Sequence, residues 1–376
     1  MISHSGLALL VTLVLCGALP APLRAGDGPA PLFLAGGDLS HLALMERRGV
    51  VYRDHGKAGD ALAILKSHGL TCVRLRLWTA SEADAEKDPY NKGNTLAYTV
   101  ALAKRVKRAG LLLLLDFHYS DSWADPAHQA RPAAWDGLTF DQVEERMYVY
   151  SRDCIAAFRA ADALPDYVQI GNETPMGFAW PDGKVDQPAK WPQLARLVAA
   201  ADRGIAEAAG ARKPKTIIHL DRGGDWGTTQ WFFDELILKQ HARFDIIGQS
   251  YYPFWHGDFA KLRICLGKCV ERYGKPVIVA ETAFPWAANG RDGSDAKPIN
   301  GLAAGPDGQV RFATELGAIL AALPDHKGLG VCWWGAEFNA AGGFNFDGFD
   351  NRSFWDRDGN VLPVVDALGA LAKATR

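Results

Sequence analysis

The sequence predicts an α/β protein, a single (β/α)8 TIM barrel with long βα loops, and three observations carry that prediction. Apolar runs of strand length occur eight times. Helix-patterned, Ala-rich segments lie between several of them, and strands alternating with helices imply parallel pairing through right-handed crossovers. Most runs also turn polar at their C-terminal ends. In a closed barrel those ends share one mouth, whereas an open doubly wound sheet gathers its groups at one switch point, so polar termini throughout favour closure.

In the 376 residues the opening MISHS is followed by GLALLVTLVLCGALPA, an apolar run, and then by the small-residue stretch PLRAG. Residues 1–25 therefore read as a signal peptide cut after Ala25, although MISHS lacks the usual Lys or Arg, and the run is short for a spanning helix. A secreted protein, extracellular or periplasmic, is expected. Residues 26–376 hold no Pro/Ser linker and read as one catalytic domain, within the size range of a barrel with insertions.

The elements follow in order. LFLAGG near residue 32 is the first strand, and DALAILKSHG has helical spacing. CVRLRLW from 72 puts Arg74 and Arg76 on one face by the two-residue period. LAYTVALAKRVKRAG precedes LLLLLDFHY from 111, which ends at Asp116 and His118. VEERMYVYSRDCIAAFRAA precedes YVQIGNE from 167, ending at Asn172 and Glu173. WPQLARLVAAADRGIAEAAG leads to TIIHLD from 216, with His219 and Asp221. DIIGQSYY from 245 closes on Tyr251 and Tyr252, and PVIVAET from 276 on Glu281. QVRFATELGAILAAL then leads to LGVCWWG from 329, with Trp333 and Trp334.

Net charge is −2, which gives no electrostatic case for nucleic acid or an anionic membrane. A monomer is expected. Of six cysteines, Cys16 leaves with the signal. Cys72 and Cys332 read as buried thiols, and CLGKC, with Cys265 and Cys269, as a local bridge in an oxidising compartment. Twelve tryptophans, many beside Gly, Pro and Asp, suit stacking on sugars.

Glu173 and Glu281 end separate apolar strands. One such carboxylate reads as a solvated loop residue, but a pair at one mouth is what glycosidic cleavage requires: one protonates the leaving oxygen, the other attacks the anomeric carbon or activates water. Asn172 is placed to hydrogen-bond the hydroxyl beside the reacting carbon. Arg74 or Arg76 would hold Glu281 ionised, and the alternative for one of them is a purely structural ion pair.

These residues resemble glycoside hydrolase family 53, the endo-β-1,4-galactanases that cleave arabinogalactan side chains of pectin. The likeness rests on GGDLSHLALMERRGVVYRD, VRLRLW, LLLDFHYSDSWADPAHQ, QIGNE with WPDGK, SYYPFWHG and VIVAET, the third and fifth together being the most specific. It implies Glu173 as general acid/base and Glu281 as nucleophile of a retaining mechanism. It implies further that Asn172 holds the 2-hydroxyl, that Arg74 and a tyrosine of SYY (Tyr252 before Tyr251) orient Glu281, and that His118, Asp121, Trp123, Trp255 and Trp334 line galactan subsites. TPMGFAWP and CWWGAEF depart from the commoner family sequences.

His118 with Asp121 reads as a hydrogen-bonded pair rather than part of a metal site, since two ligands lack a third. No cofactor is required. NGRDGSD from 289 and FDGFDNRSFWDRDGN from 346 suit turns and also oxygen ligation of a structural Ca²⁺, which some bacterial relatives carry near the last loops. The expected partner is a β-1,4-galactan chain. The rivals are a related barrel hydrolase acting on mannan and a non-catalytic glycan-binding barrel.

Overall fold

The computed structural model describes Met1 and residues 33–87, 93–288, 297–339 and 348–374. The proposed signal segment and NGRDGSD lie outside the described residues. Eight parallel strands form a closed barrel: β1 Leu34–Asp38, β2 Cys72–Leu77, β3 Leu112–Phe117, β4 Tyr167–Ile170, β5 Lys215–Leu220, β6 Ile246–Ser250, β7 Val277–Thr282 and β8 Gly328–Trp333. Each pairs with its neighbours in sequence, and β8 closes on β1 with Leu34 opposite Gly330. All eight expected strands form.

A helix follows each strand: α1 Ala61–Ser67, α2 Leu96–Arg108, α3 Phe140–Ala160, α4 Trp191–Ala209, α5 Trp226–Phe233, α6 Phe259–Tyr273, α7 Pro306–Ala321 and α8 Val364–Ala374. Their starts are written locally. Asp60, Thr95 and Asp258 accept from backbone N–H groups three residues on, and Thr139 with Gln142 makes a capping box. Helix α4 lies hard against α3 at Gly204, where a Cβ would meet the Tyr148 carbonyl oxygen at 2.4 Å.

Strand parity divides the core. Val73, Leu75, Leu113, Leu115, Val168, Ile218, Ile247, Val279 and Val331 pack outward in the layer shared with the helices. Leu34, Cys72, Leu114, Ile217, Ile278, Ala280 and Cys332 fill the barrel interior. Toward the C-terminal ends this interior stack turns polar, through Asp38, Arg74, Asp116, Gln169 and His219, all fully buried. Short αβ connections close the other end, while the βα loops at 118–139 and 171–190 are long, as expected.

Cys265 and Cys269 correct the expected bridge. They sit one turn apart on the buried face of α6 and are free thiols, as are Cys72, Cys154 and Cys332. Their Cα–Cβ vectors run parallel along the helix rather than converging, which a disulfide needs.

Candidate active site

Two local devices bring the carboxylates to the mouth. Strand β4 stops at Ile170 because Gly171 takes φ +80°, where a Cβ would meet Thr174 Cγ2 at 2.8 Å. Glu173 itself sits at φ +46°, a left-handed conformation that a non-glycine residue adopts at a cost and that is often found at functional sites. In β7 the device is a bulge. Val279 pairs with Gln249 and Val331, but Glu281 pairs with Ser250 and Thr282 with Trp333, so β7 carries one extra residue against both neighbours. Ala280 already faces the interior. Strict alternation would send Glu281 outward to the helices, and the bulge turns it inward.

Both glutamates line one cleft of about 340 Å³, with Trp123, Asp125, Asn172, Asp221, Tyr252, Trp255, His256, Trp334, Phe349 and Arg352 on its walls. Beneath it, Arg74 is the hub. Its Nη1 donates to Asp38 Oδ2 at 2.8 Å, and its Nη2 lies 2.7 Å from Asp116 Oδ2, 2.9 Å from Asn172 Oδ1 and 2.8 Å from Glu281 Oε1. Tyr252 donates its phenol proton to Glu281 Oε2 at 3.1 Å. Asn172 accepts from Arg74 and donates one amide hydrogen to the Ala124 carbonyl at 2.8 Å, which leaves its second hydrogen for a ligand. Glu173 accepts from the Ser250 hydroxyl at 2.5 Å.

The two carboxyls are set apart electrostatically. Burial, then the negative charges of Glu281 and Asp221, push Glu173 well above the ordinary glutamate range, against the Ser250 bond and Arg74. Glu281 is also raised by burial, but Arg74 pulls it back, while Asp116 and Asp38 share that guanidinium and weaken its hold. Burial and like charge thus favour a proton on Glu173, while Arg74 and Tyr252 support the ionised form of Glu281, the division of labour that acid-assisted displacement needs.

The remaining predicted site residues divide. Trp123, Trp255 and Trp334 line the cleft, with Trp255 60% exposed at its rim. Arg76 takes the structural role: it pairs with Asp38 at 3.2 Å and lies 4.1 Å over the Trp123 ring. His118 is buried below Trp123, accepting from the Ala124 N–H at Nδ1, with Nε2 3.0 Å from Asp116. The expected His118 to Asp121 pair does not form. Asp121 accepts from Thr79 Oγ1 at 2.5 Å and from the Ala133 N–H at 2.8 Å, and it faces a neighbouring cavity with Trp78 and Ser81. Tyr251 also lies off the cleft, because strand parity turns it outward; it is stacked with Phe312 and donates to the Gly257 carbonyl at 2.8 Å. In the last loop Asp356 accepts from the backbone of Asn360, a turn contact. Among the described residues no group of three or more His, Cys, Asp and Glu could hold a metal ion.

A family model described as glycosyl hydrolase family 53 matches residues 34–368. The chain belongs to that family. It is 35% identical over 306 residues to the arabinogalactan endo-β-1,4-galactanase of Thermothelomyces thermophilus, covering 80% of this chain and 88% of that one. It is 33% identical over 349 residues to a probable arabinogalactan endo-β-1,4-galactanase A of Aspergillus terreus, covering 91% and 96%. Among solved structures, the family 53 catalytic domain from Ignisphaera aggregans superposes with a TM-score of 0.80 at 31% identity, over 91% of this chain and 98% of that one. A fungal β-1,4-galactanase gives 0.78 at 31% identity, over 89% and 98%.

Sequence reasoning within the family-53 frame missed several functional neighbours. Asp38, Gln169, Ser250 and Glu337 are short polar interruptions of apolar runs or lie in a loop. For Asp38 and Gln169 the signal is parity: Asp38 is two residues beyond Gly36 and Gln169 two beyond Tyr167, both on the interior face. Arg352 and Phe349 come from a distant loop and had no local signal.

Proposed function

We propose that this protein is a secreted, retaining endo-β-1,4-galactanase acting on galactan or type I arabinogalactan by double displacement. The observation that carries the reading is the placement of Glu173 and Glu281 on one aromatic-walled cleft, the first in surroundings that favour its protonated form and the second gripped by Arg74 and Tyr252. Glu173 protonates the departing glycosidic oxygen while Glu281 attacks the anomeric carbon, and the bond to the leaving sugar breaks. Glu173, now ionised, takes a proton from water, which displaces Glu281 and restores both groups. The two carboxyls carry the chemistry, so no cofactor is needed.

The galactan specificity is supported by the names of the relatives at 33–35% identity. Export is supported by the apolar opening run ahead of Ala25; among the described residues no helix is long and apolar enough to cross a membrane. The test is hydrolysis of linear β-1,4-galactan followed by NMR of the newborn reducing ends, with mannan in parallel. Initial release of β-anomers from galactan alone is expected. Initial α-anomers, or faster mannan cleavage, would overturn the proposal.

A further inference from the structure

We infer that His219 and Ser250 form a one-way hydrogen-bond relay that fixes the acid/base glutamate, so that its transferable proton always resides on Oε2. The inference rests on the acid/base reading of Glu173. The backbone N–H of Glu173 donates to Nδ1 of His219 at 3.3 Å, and the side-chain amide of Gln169, which also has the Gly171 carbonyl and Asn172 Oδ1 within 3.1 Å, lies 3.0 Å from the same nitrogen. The Gln169 amide cannot be turned over, because its Nε2 donates to Asp116 Oδ1 at 2.6 Å while its Oε1 faces Arg74 at 3.3 and 3.4 Å. Asn172 Oδ1 lies 3.1 Å from the same imidazole nitrogen but has Arg74 at 2.9 Å and Gln169 Nε2 at 3.1 Å as donors, whereas among the described residues the Glu173 N–H finds its acceptor in Nδ1. Nδ1 is therefore an acceptor, and the neutral ring carries its proton on Nε2.

That proton is donated to Ser250 Oγ at 2.9 Å. With its oxygen receiving from His219, the serine directs its own hydrogen to Glu173 Oε1 at 2.5 Å. An oxygen that permanently accepts is a poor place for the carboxyl proton, so Oε2 is left as the working atom. Burial and the charge of Arg74 keep His219 well below the usual histidine range, so the direction of the relay does not reverse as the solution acidifies. Ser250 is thus a positioning residue, and His219 acts through it. The relay is attached at both ends to the turn it serves, since Glu173 donates its backbone N–H to the ring whose far side governs its side chain.

Several ionisable groups surround Glu173, with Asp125, His256 and Arg352 on the walls of the same cleft. Glu281 faces Glu173 from β7, Asp221 and His219 from β5, Arg74 from β2 and Tyr252 from the end of β6. Ser250→Ala removes a bond that favours the ionised glutamate, so the basic limb of the kcat/KM profile should move up by about one pH unit. Asp221→Asn removes a like charge and should move the same limb down. A Ser250→Ala protein with lower activity but an unmoved limb would overturn the inference, since a merely structural role lowers the whole curve. ¹⁵N NMR of the unaltered enzyme gives a second reading independent of any variant: His219 should show a protonated Nε2 and a bare Nδ1 from about pH 5 to 8. Protonation of Nδ1 would equally overturn it. Glu173→Ala in azide isolates the underlying assignment: if azide fails to restore turnover of an aryl galactoside, the acid/base reading falls, whereas rescue beside an unmoved limb in Ser250→Ala sinks the relay alone.

Discussion

At the scale of single residues, the two glutamates separate by what each is asked to do. Glu173 supplies a proton that a good leaving group does not need. Glu173→Gln should therefore lose about 10²–10⁴-fold on galactan yet keep measurable turnover of the first step on an activated aryl galactoside. Glu281→Gln should abolish both, since no bond to the sugar can form. Equal, complete loss of both substrates in Glu173→Gln, judged by burst kinetics, would count against its role. These two residues were legible because each ends an apolar strand on a charge, a pattern that packing alone does not explain. Ser250 was not legible: a serine in DIIGQSYY has no signature until register shows which face it takes. Tyr251 and Tyr252 illustrate the same limit, because adjacent strand positions face opposite ways and composition cannot choose between them.

At the scale of elements, the turn after β4 and the bulge in β7 carry the geometry. Gly171→Ala should cost roughly 1–3 kcal/mol in urea unfolding, since the alanine methyl meets Thr174 while the backbone remains at positive φ. The same variant should lower kcat more than it raises KM, because Asn172 and Glu173 shift with the turn. An alanine protein with native stability and rate would show that the turn is not the device that aims Glu173. All eight strands could be read beforehand because fully buried parallel strands are continuous apolar runs. Helices α5 and α6 were harder. WGTTQWFF is dominated by aromatics that are indifferent to helix, and CLGKC drew attention to sulfur chemistry when its spacing was that of one helical turn.

At the scale of the whole molecule, a near-neutral chain hides charge in its interior. Glu337, after β8, is buried with Oε1 accepting the His41 N–H at 2.6 Å and, among the described residues, no hydrogen-bond partner for Oε2. Burial, then the charge of Asp38, lifts it from 4.5 to about 8, against Arg76. Between those values the folded chain keeps a proton that the unfolded chain has released, so stability falls as pH rises through this window, by on the order of 3–5 kcal/mol. Glu337→Gln mimics the protonated form. Its melting temperature should exceed that of the unaltered protein near pH 9, with the difference vanishing near pH 4; a gap independent of pH would refute the assignment. This glutamate escaped sequence reading because its environment is made by Asp38, His41 and Arg76, which are far from it in the chain.

The extra residue in β7 also bears on how such a chain tolerates genetic change. Excising the codon for Ala280 would leave the cylinder closed and its acid still aimed down the shaft, but sunk by one step of about 3.3 Å, out of line with its counterpart across the opening. Apolar-for-apolar exchanges at the other positions of that strand leave its register in place; a clean three-base loss there would yield a closed barrel unable to turn over its polymer.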